Sequence, residues 1–168
     1  MLTFSTGLGV CGVTWTDAGI AGVSLPSARG PLGTRVEDAV GVPDAVLAAV
    51  AGMTTLLAGE PVDLRDVVVD ESGVDPFRRA VFAATRAIGP GEIATYGEIA
   101  RAVGAPGAAR AVGAALGSNP YPVVIPCHRV LAADGALTGF SAPGGTVTKR
   151  RMLEIEGAPG FRQEALFA

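Results

Sequence analysis

Residues 120–130 have the sequence PYPVVIPCHRV, and the interpretation of the whole chain starts from them. They contain the only histidine of the protein, His128, directly after Cys127, one of only two cysteines. Chance places a lone histidine beside either cysteine in about 2% of such chains, so the pair is a candidate for cysteine chemistry. The apolar run 123–125 is typical of a buried strand, which Pro126 ends. We therefore expect Cys127 on a rigid turn at the end of a strand.

The composition is that of a globular protein, with 49% apolar and 17% charged residues in a chain of 168. Two distant cysteines and one histidine provide neither a disulfide framework nor a structural zinc site, so we expect free thiols and no metal. The N-terminus lacks the basic start of a signal peptide. The longest uncharged runs are too short or too broken by Pro and Gly to span a bilayer. We expect a soluble cytoplasmic protein that does not bind membranes.

The charge is distributed unevenly along the chain, although the net charge is only −3. Residues 1–75 contain three arginines against ten acidic residues. Residues 76–168 contain ten lysines and arginines against six acidic residues. This asymmetry suggests that the second half contacts a polyanion. An ordinary solvated basic face explains the charge alone equally well.

The first half predicts a small sheet with one helix. Residues 8–25 have the pattern of a β-hairpin, and Cys11 in its first strand is most simply a small core residue. Residues 26–42 are rich in Pro, Gly, Ser and charge, which indicates a loop. Residues 43–57 have helical apolar spacing, and residues 62–69 have the pattern of a strand.

The second half predicts several helices after a boundary near residues 71–75, where the charge also changes sign. We therefore divide the chain into residues 1–73 and 74–168. Asp75 is expected to cap a helix that begins at Pro76 and ends before the glycines and proline of residues 89–91. The apolar residues expected on its inner face are Phe77, Ala80, Val81, Ala84 and Ile88.

A helix-turn-helix is predicted over residues 95–117. Thr95 and Glu98 have the spacing of a capping box at the start of the first helix. Residues 104–107 form a turn with two glycines, and residues 108–116 form the second helix. Many helix pairs share this bare pattern, so it is a weak indicator of DNA binding.

The second of these helices has an unusually small surface. Residues 108–115 are almost all alanine, valine and glycine, with Arg110 as the one long side chain. An ordinary helix is roughly 10–12 Å across, whereas the DNA minor groove is about 6 Å wide. A helix of small residues could approach the groove floor and place Arg110 in the base stack. Tight packing between helices is the more common reason for such a composition.

Three motifs together resemble those of the O6-alkylguanine-DNA alkyltransferases, also called methylated-DNA–protein-cysteine methyltransferases. They are residues 108–113 (AARAVG), residues 117–120 (GSNP) and residues 126–130 (PCHRV). The resemblance covers roughly residues 75–157. It implies an α/β (α+β) fold, with a small ribonuclease H-like sheet-and-helix lobe before a mainly helical lobe. That second lobe holds the helix-turn-helix and the cysteine turn.

The resemblance also implies a role for individual residues. Cys127 resembles the acceptor of the alkyl group, and His128 and Glu156 resemble the residues that activate it. Asn119 resembles the hinge between the helix-turn-helix and the cysteine turn, and Tyr96 the tyrosine that binds the guanine ring.

Two further sets of residues follow from the same resemblance. Arg110 matches the arginine that replaces the flipped base. The small helix residues expected beside it against DNA are Ala109, Ala111, Gly113 and Ala114. The residues expected around the substrate pocket are Ser141, Phe140, Lys149 and Val130. Phe140 stands where many members have tyrosine, and the loop 141–145 is longer than usual.

The function implied is irreversible, single-turnover transfer of an alkyl group to Cys127. The donor is O6-alkylguanine, or O4-alkylthymine, flipped out of double-stranded DNA, and we expect a monomer without cofactor. One alternative is a non-catalytic binder of alkylated DNA, the alkyltransferase-like type, which has tryptophan in place of the cysteine. Another is a cysteine hydrolase that uses Cys127 and His128 over many turnovers.

The chemistry fits a thiol that needs activation. A thiolate is a soft nucleophile, but a free thiol has a pKa of about 8.5 and is mostly protonated at neutral pH. Neighbouring residues on a strand point to opposite faces. We therefore expect Cys127 and His128 to communicate through a bridging water, with Glu156 on the other imidazole nitrogen.

Overall fold

The computed structural model describes residues 1–162. Its N-terminal part is a four-stranded sheet with the spatial order β3-β2-β1-β4. The strands are β1 (Leu2–Thr6), β2 (Gly9–Thr16), β3 (Gly19–Ser24) and β4 (Thr34–Arg35). β1, β2 and β3 are antiparallel, and β4 is parallel to β1. The hairpin predicted over residues 8–25 is therefore confirmed.

Two predictions for the first half are wrong in part. The loop 26–42 contains β4 and a short 3₁₀ helix, Val36–Asp38. Residues 62–69 do not form a strand; only Val69 pairs, in a single bridge to Ile20. The side chain of Asp63 accepts a hydrogen bond from the backbone N–H of Arg65 at 2.9 Å. Such a turn around an aspartate bends the segment, although the valines in it favour a strand.

Helix α1 (Asp44–Leu56) packs against β1. Its buried face consists of residues at helical spacing, namely Val46, Ala49, Val50, Met53 and Leu56. Cys11 in β2 is fully buried, as expected of a core residue. The first half is thus a sheet with one helix on it.

The second half is mainly helical. Its elements are α2 (Pro76–Arg86), β5 (Ala94–Thr95), α3 (Tyr96–Ala102), α4 (Ala109–Gly117), β6 (Val130–Leu131) and α5 (Gly145–Ile155). The side chain of Asp75 caps α2, and Thr95 and Glu98 form the predicted capping box of α3. Helices α3 and α4 pack against each other and against α2, which confirms the predicted helix pair.

The inner face of α2 differs from the prediction at Ala80, which is exposed. Phe82 is buried instead, and its ring meets that of Tyr121 edge to face, with centroids 6.3 Å apart. A large aromatic ring buries more apolar area than a methyl group, so Phe82 rather than Ala80 turns toward the core.

One cluster of buried side chains extends across both halves, from Leu2 to Met152. The edge strand β3 also bonds to the second half, because Val23 N–H donates to the carbonyl of Pro120 at 2.9 Å. The division at residues 73/74 stays a prediction. Within residues 1–162, no helix combines the length and the apolar character that a membrane crossing requires.

Candidate active site

The segment before Cys127 is buried but is not the strand that the run 123–125 predicted. Residues 122–125 form a turn in which Ile125 N–H donates to the carbonyl of Tyr121 at 2.8 Å. Val123 has a φ of 75°, a left-handed conformation that is strained for a β-branched residue. Prolines on both sides of the run shorten it below the length that a strand needs to pair.

Cys127 starts a one-turn 3₁₀ helix, Cys127–Arg129, and so does not follow a strand as predicted. Pro126 has φ −80° and ψ 61°, and Cys127 N–H donates to the carbonyl of Ile125 at 2.8 Å. This is an inverse γ-turn, which reverses the chain sharply. The prediction that Cys127 lies on a turn is therefore confirmed, whereas the strand expected before it is absent from residues 123–125.

Asn119 connects the end of α4 to the thiol. Its Nδ2 donates to the carbonyl of Ile125 at 2.9 Å and to Cys127 Sγ at 3.2 Å. Its Oδ1 accepts a hydrogen bond from Tyr121 N–H at 2.9 Å. All three amide positions are thus used to fix the turn and to present a donor to sulfur.

Cys127 is 8% exposed, and opposing effects act on the pKa of its thiol. Burial raises its pKa, because a thiolate loses hydration. The hydrogen bond from Asn119 and the charge of Lys149 both lower the pKa. Because burial is the largest of these effects, the net pKa is above the ordinary value, and the thiol needs a base.

His128 is fully buried and bonds to a carboxylate. Its Nε2 lies 2.8 Å from Oε1 of Glu156. Burial lowers the pKa of the imidazole, and the Glu156 hydrogen bond and charge oppose that shift. A neutral imidazole that donates through Nε2 has Nδ1 as its acceptor. Among residues 1–162, this buried Nδ1 has no hydrogen-bond partner.

The side chains of Cys127 and His128 are not joined by a hydrogen bond within residues 1–162. The predicted separation is thus found, but the reason given for it, alternation along a strand, is wrong. In a 3₁₀ helix with three residues per turn, successive side chains point about 120° apart. The two side chains therefore leave the turn in different directions.

Glu156 has a second buried partner, Arg129, which was not among the predicted site residues. Arg129 Nε lies 2.8 Å from Oε2 and its Nη2 lies 2.9 Å from Oε1, a two-point ion pair. Arg129 also donates to the carbonyl of Ile88 at 2.6 Å, and Gly91 N–H donates to Oε2 at 3.2 Å. The basic residue that directly follows His128 was the available signal, because a buried carboxylate needs a cation.

These contacts hold Glu156 in its charged form. Burial acts to raise the pKa of this carboxyl, but the hydrogen bonds and charges of His128 and Arg129 lower it to about 2. The side chain is only 1% exposed, so water does not weaken these interactions. A permanent negative charge therefore lies against the imidazole.

Tyr96 and Lys149 meet at the carbonyl of Thr138. Tyr96 donates to that carbonyl at 2.9 Å, and Lys149 Nζ donates to it at 3.0 Å. Lys149 Nζ also donates to the carbonyl of Val130 at 2.6 Å and lies 3.4 Å from the Tyr96 hydroxyl. Burial lowers the pKa of Lys149 to about 8 and raises that of Tyr96. Val130 is fully buried, and its carbonyl serves to hold Lys149.

The small-residue helix α4 lies beside a surface cavity of about 720 Å³. Ala109, Arg110 and Gly113 line it together with Tyr96. Arg110, Ala111 and Ala114 are exposed. The side of α4 predicted to face DNA therefore combines small side chains with one exposed arginine.

A second cavity, of about 380 Å³, lies beside the thiol. Cys127, Asn119, Phe140 and Ser141 are among the residues that line it. The Ser141 hydroxyl donates to the carbonyl of Gly117 at the end of α4. Residues 138–141 contribute to both cavities, since Thr138 lines one and Ser141 the other.

The structure brings Cys127 to Asn119, His128 to Glu156, and Tyr96 to Lys149. Phe140 and Ser141 lie on the wall beside the thiol, whereas Arg110 lines the other cavity. Within residues 1–162, no group of His, Cys, Asp and Glu side chains is arranged to hold a metal ion. The site is built from a thiol, an imidazole–carboxylate pair and hydrogen-bond donors.

Comparisons with known proteins agree with this geometry. Residues 76–158 match the family described as the DNA-binding domain of 6-O-methylguanine DNA methyltransferase. A methylated-DNA–protein-cysteine methyltransferase from Mycobacterium bovis is 47% identical over 114 residues, which are 68% of this chain and 67% of that protein.

Solved structures extend the similarity to nearly the whole chain. The O6-methylguanine methyltransferase of Mycobacterium tuberculosis is similar at a TM-score of 0.74 and 34% identity, over 95% of this chain and 94% of that one. The structure of the M. tuberculosis protein in complex with DNA is similar at a TM-score of 0.72 and 33% identity, over 95% of each chain. With this match around the cysteine turn and along the fold, the chain belongs to the methylated-DNA–protein-cysteine methyltransferase family.

Proposed function

We propose that this protein repairs DNA by moving an alkyl group from O6 of guanine to the sulfur of Cys127. The observation that carries the proposal is the contact between Asn119 Nδ2 and Cys127 Sγ at 3.2 Å, on the wall of a cavity. The buried His128, which directly follows Cys127 in the chain and is bonded to Glu156, supplies the base that the thiol needs. Membership of the family supports the same reaction.

The reaction is a displacement at carbon. Cys127 sulfur forms a bond to the alkyl carbon while the bond from that carbon to O6 breaks. The electron pair of the broken bond returns to guanine, which becomes the ordinary keto base when its ring takes up the proton lost by the thiol. The thioether that remains is stable, and we propose that each molecule acts once.

His128 is the proposed route for the thiol proton. Its Nδ1 can accept the proton through a water molecule, which turns the imidazole into an imidazolium. Glu156, with a pKa of about 2, is charged and stabilises that imidazolium across 2.8 Å. The protein therefore supports the charge that the proton transfer creates.

Tyr96 is proposed to act on the departing base, and Lys149 on the thiol. A phenol can donate a hydrogen bond to the guanine ring as negative charge develops there. The Tyr96 hydroxyl bonds to Thr138 at 2.9 Å, so it would exchange that carbonyl for the base. The Lys149 charge favours the thiolate, since it lowers the pKa of Cys127.

DNA is the partner of this family, and we propose that α4 contacts the duplex. O6 lies inside the base stack, so the nucleotide has to be flipped out to reach a thiol. Arg110 is exposed beside the cavity that Tyr96 lines, and we propose that it fills the gap in the stack.

We further propose a monomer that acts on O6-alkylguanine in double-stranded DNA, and on O4-alkylthymine. Residues 1–73 and 74–168 would be its two lobes.

Mass spectrometry of the intact protein tests the proposed function. After incubation with an oligonucleotide that contains O6-methylguanine, we expect the protein mass to increase by one methylene and to stop there. The same oligonucleotide with ordinary guanine is the control. An unchanged mass with the methylated DNA would contradict transfer, and repeated turnover would contradict a stable product.

Arg110→Ala tests the proposed base flipping. We expect transfer from O6-methylguanine in duplex DNA to slow by about tenfold or more, because nothing replaces the flipped base. Attack on the free base O6-benzylguanine should change little, because it has no stack to leave. The measurement is the rate at which Cys127 gains mass with each substrate.

Arg65→Ala is the matched control, because it also removes one arginine charge. Arg65 is exposed, pairs with Asp63 and lies far from Arg110 in the sequence. It should leave both rates nearly unchanged. Equal losses on duplex DNA and on the free base for Arg110→Ala would be evidence against a role in flipping.

A further inference from the structure

The cavity beside Cys127 is lined by both halves of the chain. The N-terminal residues on its wall are Val23, Ser24, Leu25, Ser27, Gly30 and Pro31. The roles assigned above for DNA binding and catalysis all fall in the second half. Those roles therefore do not explain why N-terminal residues line the wall next to the thiol.

This N-terminal wall is held in a defined position. Val23 N–H donates to the carbonyl of Pro120 at 2.9 Å, which ties β3 to the residue before Tyr121. Gly30 N–H donates to the carbonyl of Ser27 at 2.9 Å, and Gly30 has a left-handed φ of 64°. The strand end and the tight turn that follows it thus form a fixed surface beside the cysteine turn.

The opposite wall comes from residues 140–143. Phe140 is half-buried, and Ser141 is anchored to Gly117 through its hydroxyl. Among the described residues, no charged side chain lines the cavity. Its surface therefore suits an uncharged, mostly apolar group, since burying a charge there would be costly.

The displacement reaction explains what such a space would hold. Sulfur attacks opposite the departing oxygen, so these two atoms and the carbon between them lie in one line. Any atoms beyond that carbon have to project to the side. A methyl group needs no side space, whereas a longer alkyl or benzyl group does. A cavity of roughly 150 Å³ holds a benzene molecule, and the volume here is about 380 Å³.

We propose that residues 23–31 form one wall of the pocket that receives the alkyl group, and that this wall sets the largest group Cys127 accepts. The substrate class is O6-guanine bearing an uncharged alkyl or arylalkyl group, benzyl included. This proposal rests on the function proposed above. It assigns the N-terminal half a direct part in substrate choice.

Ser27→Trp tests the wall by filling the cavity from the N-terminal side. We expect transfer of benzyl to slow by about tenfold relative to methyl, because a hydrophobic pocket discriminates by size to that extent. The two groups are presented as O6-methylguanine and O6-benzylguanine in two oligonucleotides of identical sequence, so that DNA binding is the same. The measurement is the rate of mass gain for each substrate.

Ser5→Trp is the matched control, an identical change at an exposed position of β1 outside this cavity. It should leave the ratio of the two rates as in the wild type. Ser24→Phe is a second variant on the wall and should lower the same ratio, so the test remains decisive if Ser27→Trp does not fold.

An unchanged ratio in the folded wall variants would overturn the proposal. So would a wild-type protein that accepts methyl but not benzyl, and that result would leave the proposed function intact. A wild type that accepts neither group would contradict the proposed function, and the wall proposal with it.

Discussion

Replacing Cys127 with serine is expected to abolish alkyl transfer completely. A serine hydroxyl has a far higher pKa than a thiol and is a harder nucleophile, so the same base cannot activate it for attack on carbon. The exposed surface of α4 is unaffected by the change, so binding to DNA should remain. Mass spectrometry of the intact protein measures the first effect, and fluorescence anisotropy with a labelled duplex measures the second.

Cys11→Ser is the matched control for that substitution. Cys11 is also a buried thiol, and burial raises its pKa as well, but it lies in β2 among core residues. Transfer should therefore persist in this variant, at the cost of some stability. Transfer that survived Cys127→Ser would require another acceptor and would overturn the assignment.

Replacing Glu156 with glutamine is expected to have the second-largest effect. The change leaves the guanidinium of Arg129, which is only 6% exposed, without its ion-pair partner. Breaking a buried pair in this way costs about 3–5 kcal/mol in the free energy of unfolding. It also removes the charge that stabilises the His128 imidazolium, which should slow transfer by about 10²–10⁴-fold.

Glu154→Gln is the control for Glu156→Gln, because it makes the same change two residues earlier in the chain. Glu154 faces Arg151 in a partly exposed pair at 3.7 Å, and such pairs contribute at most about 1 kcal/mol. Urea denaturation monitored by circular dichroism measures both variants. Equal destabilisation by the two changes would show that the Arg129–Glu156–His128 cluster is not the buried support described above.

The same cluster predicts a loss of stability in acid. The pKa of Glu156 falls from an ordinary 4.5 to about 2, so its contribution is fully present above about pH 4.5. It is lost as the pH decreases toward 2, when the folded protein also takes up the proton. The wild type should therefore lose more stability than Glu156→Gln over this range.

Local patterns in the sequence predicted the helices well. The capping box of Thr95 and Glu98 and the cap at Asp75 depend on residues three positions apart, and the structure contains both. The hairpin of β2 and β3 was equally local. These elements are specified by contacts within a few residues, which is why sequence spacing is sufficient to identify them.

Features that depend on distant partners were harder to predict. The run 123–125 is apolar enough for a strand, but it bends into a turn that Asn119 holds through three hydrogen bonds. Arg129 meets Glu156 from 27 positions away. The cavity wall from residues 23–31 depends on how the two halves pack, which no local pattern records.

Peptide mapping that locates the added group tests most directly whether Cys127 is the alkyl acceptor. The protein is incubated with O6-methylguanine duplex DNA, digested, and analysed by tandem mass spectrometry. We predict one added methylene on the peptide containing Cys127 and none on the peptide containing Cys11. A methylene on Cys11, or no modified cysteine at all, would contradict the account.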